Sequence, residues 1–304
     1  MKKRKDRHNA KWIGITIASL GIGFVVLVLL ISVFSGGNVS ANTAHIKIRG
    51  VITSGGESSI LGGGTTSSEE TVENIRNAEE NSRIKAILLD INSPGGSAVA
   101  SEEIATAVKN AEKPVVAIIR DIGTSGAYWA ASAADDIVAS PLSITGSVGA
   151  TASYLEFSGL MEKYGIGYQR LVSGELKDTG APFRKLQENE ERMLLGMIQL
   201  TGSYFAESVK ENRQLTEAVV EEIASGRFYT GQQALVLGLV DELGGIDQAK
   251  ELIKARAGLD DVKLIEYKVK KPFSIASLLA QQAAVIGKSI GSSLLPDTNA
   301  ISLI

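Results

Sequence analysis

Ser125 stands in Ile122-Gly123-Thr124-Ser125-Gly126-Ala127-Tyr128-Trp129-Ala130-Ala131, just after the apolar run Pro114-Val115-Val116-Ala117-Ile118-Ile119. The run is short and β-branched, which predicts a buried strand; the small apolar residues after the glycines, free of proline, predict a packed helix. A serine at such a corner lies beside helix-start N–H groups, where a nucleophile and an anion-stabilising site can be built together. A serine there ordinarily caps the helix, and the turn alone does not choose between the two roles.

The partners such a serine could use are few. There is no cysteine, and the two histidines are His8, in a basic tail, and His45, at the start of the first strand. That argues against thiol chemistry, disulfides, a Ser-His-Asp triad and a histidine zinc site in the main domain. A general base must then be a carboxylate or a lysine, and a lysine serves only if its pKa falls from about 10.4 toward neutrality. Lys177, in Ser173-Gly174-Glu175-Leu176-Lys177-Asp178, reads from composition as one solvated loop lysine among many. Gly95 and Gly96, after the strand Ile84 to Ile91, could bring a backbone N–H to a developing oxyanion or form an ordinary turn. No GxGxxG and no P-loop lysine follow them, so phosphate binding has little support.

These residues are placed by an alternation of elements. Ala44 to Gly50 reads as a strand with one open face, residues 53–68 as a Gly/Ser/Thr-rich loop, and Ser68 to Asn81 as a helix. Strand 84–91, helix 97–112, strand 114–119, short strand 137–140 and the small-residue turn Ile144-Thr145-Gly146-Ser147-Val148-Gly149 follow. Further on come helix 158–164, strand 168–172, a long helix 187–211, helices from Thr216 and Gly231, helix 246–255 and strand 262–267. The alternation predicts an α/β fold with a layered parallel sheet and flanking helices, its site at the C-terminal strand ends.

At 304 residues and a net charge of −3, the chain can hold one sizeable domain with appendages, and its charge gives no argument for nucleic acid. Lys2, Lys3, Arg4, Lys5, Arg7 and Lys11 precede residues 12–34, apolar and uncharged, longer than a signal-peptide core and matching the roughly 20 residues that cross a bilayer. The expected organisation is a cytoplasmic tail 1–11, a transmembrane helix 12–34, a linker 35–43 and an extracytoplasmic domain 44–271, the competing reading being a long cleavable signal cut at Val39-Ser40-Ala41. Segment 272–304, apolar and charge-poor, reads as an amphipathic helix or a poorly ordered tail.

Five ordered motifs resemble the signal peptide peptidase A family of membrane-bound serine proteases, which have the crotonase and Clp-protease type of fold. They are Asn92-Ser93-Pro94-Gly95-Gly96; Thr124-Ser125-Gly126-Ala127-Tyr128-Trp129 with Ala133-Ala134-Asp135; Thr145-Gly146-Ser147-Val148-Gly149; Ser173 to Asp178; and Asp241-Glu242-Leu243-Gly244. The family more often has Ser-Gly-Gly where this chain has Ser125-Gly126-Ala127, and Ser-Gly-Lys-Tyr-Lys at residues 173–177. The resemblance implies Ser125 as nucleophile and Lys177 as general base, Gly96 and Gly126 at the oxyanion, and Ser147 orienting the lysine. It also implies no metal or cofactor, spent signal peptides as substrates, and a ring-like homo-oligomer in which the dyad can form within or between chains. The competing readings are a crotonase-fold acyl-CoA enzyme and a non-catalytic membrane scaffold.

Overall fold

The computed structural model describes Gly23, residues 41–55 and residues 64–268. Apart from Gly23, the expected tail 1–11 and span 12–34 lie outside the described residues, as do most of the linker and all of segment 272–304. Among the described residues no helix is long and apolar enough to cross a membrane.

The core is a mixed sheet dominated by parallel pairs, with path β2 (Thr65–Ser67), β1 (Thr43–Thr53), β3 (Ala86–Gly96), β4 (Val115–Thr124), β5 (Asp136–Ala139) and β8 (Glu242–Leu243). β6 (Ile144–Gly146) pairs in parallel with the end of β4, β7 (Phe228–Thr230) closes on β6 antiparallel, and β9 (Leu264–Glu266) lies beside the start of β1. The helices are α1 (Ser68–Glu80), α2 (Ala98–Lys109), α3 (Gly126–Ser132), α4 (Ser158–Lys163), α5 (Glu188–Arg213), α6 (Glu217–Ile223), α7 (Gly231–Val236) and α8 (Ile246–Ala257).

The central strands read as continuous apolar runs because both of their faces are buried. Side chains alternate across a strand, so Ile87, Leu89 and Ile91 of β3 pack with Ile75 of α1, Ile104 and Val108 of α2 and Tyr128 of α3. Their neighbours Ala86 and Leu88, with Val116, Ile118 and Val138, pack instead on Ala249 and Ile253 of α8. Each buried isoleucine, leucine or valine among them contributes roughly 1.5 to 3 kcal/mol by leaving water. Helix α1 starts where the Ser67 hydroxyl accepts from the Glu70 N–H, and it ends where the Lys113 ammonium donates to the carbonyls of Ala78, Glu79 and Asn81.

Several local expectations change, among them the turn expected at residues 144–149, whose first three residues form β6. Strands β3 and β4 run on to Gly96 and Thr124, past the glycines where turns were expected, because those residues pair with neighbours: Ile52 faces Gly96, and Gly123 faces both Ser93 and Thr145. Breaks in register at Arg49/Val51 and Ile91/Ser93 absorb the irregularity. The short strand β2, inside the expected loop 53–68, carries no apolar alternation that would reveal it. Residues 168–172 form no strand; among the described residues no strand pairs with them to satisfy their backbone groups, and Leu171 is 93% exposed.

Candidate active site

Ser125 leaves the end of β4 with φ 52° and ψ −129°, a left-handed conformation that costs a non-glycine residue on the order of 1–3 kcal/mol. Its N–H donates to the Gly146 carbonyl at 2.8 Å, and its carbonyl accepts from the Trp129 N–H at 3.0 Å, so the backbone is pinned on both sides. Its hydroxyl does not cap α3. The ordinary role of a serine at this position is therefore absent, and the half-buried side chain faces a cleft instead.

Two glycines hold the turn in place. At Gly95, with φ 95°, a Cβ would lie 2.7 Å from the Gly126 nitrogen, 2.8 Å from the Thr124 oxygen and 2.9 Å from the Ser125 Cβ. At Gly126 a Cβ would lie 2.0 Å from the Ser101 hydroxyl and 3.5 Å from the Gly96 nitrogen. The Pro-Gly-Gly end of β3 thus presses directly on the serine corner. Ser93, fully buried, fixes that end: its hydroxyl donates to the Gly50 carbonyl at 2.6 Å and accepts from the Gly95 N–H at 3.1 Å. Sequence reasoning gave Ser93 no role, although a small polar residue ending an apolar strand just before Pro-Gly-Gly was the available signal.

Two adjoining clefts meet at Ser125. One, of about 650 Å³, is lined by Ser125, Ser147, Gly149, Ile198, Ala206 and Val220 among others. The second, of about 390 Å³, includes Gly96, Gly126, Trp129, Met197 and Phe205. Its wall is rigid: Trp129 stacks on Phe205 with centroids 4.5 Å apart, and the indole N–H donates to the Ser208 hydroxyl at 2.8 Å. Ser147 (φ 54°) follows Gly146, whose carbonyl receives the Ser125 N–H, and its own N–H donates to the Arg227 carbonyl at 2.8 Å. Four of the five expected site residues, Gly96, Ser125, Gly126 and Ser147, therefore border this pair of clefts.

Lys177 does not border them within one chain. It is exposed on the loop between residues 173 and 181, and among the described residues its ammonium has no partner. Neighbouring side chains are heavily bonded. Asp178 accepts from Arg170 and Arg184, whose hydrogen bonds hold its carboxyl well below the usual carboxylate range.

His45 is committed elsewhere. It bonds Asp90 at 2.9 Å near the start of β1, and Arg49 and Arg120 also reach that carboxylate. Burial alone would raise the Asp90 pKa; the hydrogen bonds from His45, Arg120 and Arg49 outweigh it and hold the group far below its ordinary value. Among the described residues no Ser–His pair is assembled at Ser125, and no cluster of His, Cys, Asp and Glu could hold a metal ion.

The chain is similar in sequence to known proteases. The family model for peptidase family S49 matches residues 107–260, and the Clp protease model matches residues 60–143. "Putative protease MJ0651" of Methanocaldococcus jannaschii is 36% identical over 218 residues, 71% of this chain and 70% of that protein. "Putative signal peptide peptidase SppA" of Enterococcus faecium is 32% identical over 226 residues, 73% of this chain and 66% of that protein. "Protease 4" of Haemophilus influenzae is 32% identical over 226 residues, 72% of this chain and 36% of its own length. The family model spans half of the chain and includes Ser125, and relatives at 32–36% identity cover more than two thirds of it, so the chain is a member of peptidase family S49.

Proposed function

We propose that the protein is a membrane-anchored endopeptidase that cleaves residual signal peptides and other membrane-associated peptides through a Ser125/Lys177 dyad. The observation that carries this reading is the strained corner at Ser125, where a hydroxyl that caps nothing opens on an apolar-walled cleft. Neutral Lys177 takes the proton as the Ser125 Oγ attacks the peptide carbonyl. The N–H groups of Gly96 and Gly126 receive the oxyanion, the amine leaves with a proton returned by Lys177, and water then hydrolyses the acyl-enzyme. Ser147 orients the lysine amine.

The lysine comes from a neighbouring copy. Lys177 is outside the clefts of its own chain, and the residues before it expose Leu155, Leu160, Tyr164, Ile166 and Leu171, apolar side chains that a neighbouring copy could cover. A ring of copies would cover that surface and complete the site. Residues 12–34 would hold the ring at the outer membrane face, where cleaved signal peptides reside.

The test is hydrolysis of a synthetic signal peptide by the full chain in detergent. Ser125→Ala and Lys177→Ala should each lose activity by roughly 10⁴-fold or more, and mixing the two dead variants should restore a measurable fraction. Near-normal turnover by either variant alone refutes the dyad. Activity should also rise toward alkaline pH as the amine loses its proton, and a flat profile down to pH 5 counts against lysine as base.

A further inference from the structure

The arm carrying Lys177 is anchored by charge. Asp178, the next residue, accepts from Arg170 at 2.7 Å and from Arg184 at 2.9 Å. Arg184 also reaches Glu190 at 2.5 Å, a carboxylate fully buried in the first turn of α5 that accepts from the Gln187 N–H at 2.8 Å. Arg170 donates onward to the Glu175 carbonyl at 2.6 Å, and the Thr179 hydroxyl bridges the Leu176 carbonyl at 2.8 Å and Glu190 at 3.3 Å. Residues 175, 176, 178 and 179 are thus each tied down, on both sides of Lys177, while the lysine side chain is left out.

From this we infer that Arg170, Asp178, Arg184 and Glu190 are positioning residues, a clamp that presents Lys177 in one conformation and keeps the adjacent carboxylate from pairing with its amine. The inference rests on the reading of Lys177 as the base. Two guanidinium groups balance two carboxylates, so the clamp brings no surplus charge to the loop. A carboxylate free beside Lys177 would favour the ammonium, the form that cannot take a proton. Arginine suits the task because its planar fork binds two oxygens at fixed angles, whereas a lysine would supply only a point charge.

The test uses the full chain in detergent with the synthetic signal peptide, and measures kcat, KM and the pH profile separately. Arg184→Lys, which keeps the charge but not the fork, should lower kcat by about 10- to 100-fold with KM nearly unchanged. Arg170→Gln, which frees one side of Asp178, should move the rising limb of the pH profile to higher pH, and Arg170→Gln/Asp178→Asn should move it back. Trypsin should cut after Lys177 faster in all of these variants than in the parent. A variant that misfolds is replaced by Asp178→Asn, which keeps the side chain's shape but removes the charge that Arg170 and Arg184 share, and should lower kcat in the same way. Unchanged kcat and an unmoved pH limb in folded variants overturn the clamp, provided Lys177→Ala is inactive. An active Lys177→Ala overturns the dyad instead, so the two failures are distinct.

Discussion

The corner at Ser125 and the arm around Lys177 are held by opposite means. At the corner the restraints are backbone hydrogen bonds and glycine contacts inside a packed sheet: Ser125 is pinned to Gly146 and Trp129, and Gly95 lies against it with no room for a Cβ. At the arm they are ion pairs among Arg170, Asp178, Arg184 and Glu190, while apolar side chains such as Leu171 face outward. The first arrangement is complete in one chain and shaped in advance; the second keeps its own loop rigid but leaves its apolar surface uncovered. In the proposed enzyme the nucleophile and oxyanion site are intrinsic to the subunit, and assembly supplies the base.

The contrast can be broken first at Gly95. Gly95→Ala places a methyl 2.7 Å from the Gly126 nitrogen, which is backbone and cannot swing away, in a φ that alanine disfavours. Displacing the corner should reduce peptide hydrolysis by about 100-fold and slow labelling of Ser125 by a fluorophosphonate to a similar degree. Labelling at the parental rate would show that the corner tolerates movement. Ser93→Ala should do less: it strands the Gly50 carbonyl and the Gly95 N–H, costing about 1–3 kcal/mol in a denaturant titration, with kcat lowered before KM changes.

Acid separates the regions further. The hydrogen bond from Arg184 and that from the Gln187 N–H lower the Glu190 pKa to about 2. A carboxylate depressed in the folded state contributes its full stabilisation above the unfolded value of about 4.3, and that contribution is lost as pH falls toward about 2. The protection of amides at residues 175–181, taken relative to their intrinsic exchange rate at each pH, should therefore fall through that window. Protection unchanged down to pH 2 would mean the arm does not depend on these carboxylates. The smallest effect is expected from Leu171→Ser, within about 0.5 kcal/mol for the unfolding of a single chain because Leu171 is already 93% exposed. The same change should weaken assembly, measured by light scattering, if that surface is covered in a ring.

Much of the corner is legible from residue order. The apolar run 114–119 and the glycines around Ser125 fixed a strand leading to a sharp bend, and the alternation from Ala44 onward gave the parallel sheet. What was not legible is where those strands end. Gly96 and Thr124 remain extended because Ile52 and Gly146 lie opposite them, and a partner strand far along the chain leaves no mark on local propensity. Strand β2 and the irregular stretch 168–172 err for the same reason, in opposite directions. Ser93 escaped notice because its value lies in touching Gly50 and Gly95, contacts made only once β1 and β3 pair.

By itself, the sequence determined the chemistry available to this protein: without cysteine, and with two histidines outside the expected main-domain site, a serine would have to rely on an amine or a carboxylate. Residue types set which reactions can occur, and they are inherited directly from the chain. Only the tertiary structure decided that the Ser125 hydroxyl is uncapped, that Gly95 and Gly126 crowd it, and that Lys177 stands apart on an ion-paired arm. Distances of a few ångströms depend on strands that meet across dozens of residues, and no spacing along the chain encodes them.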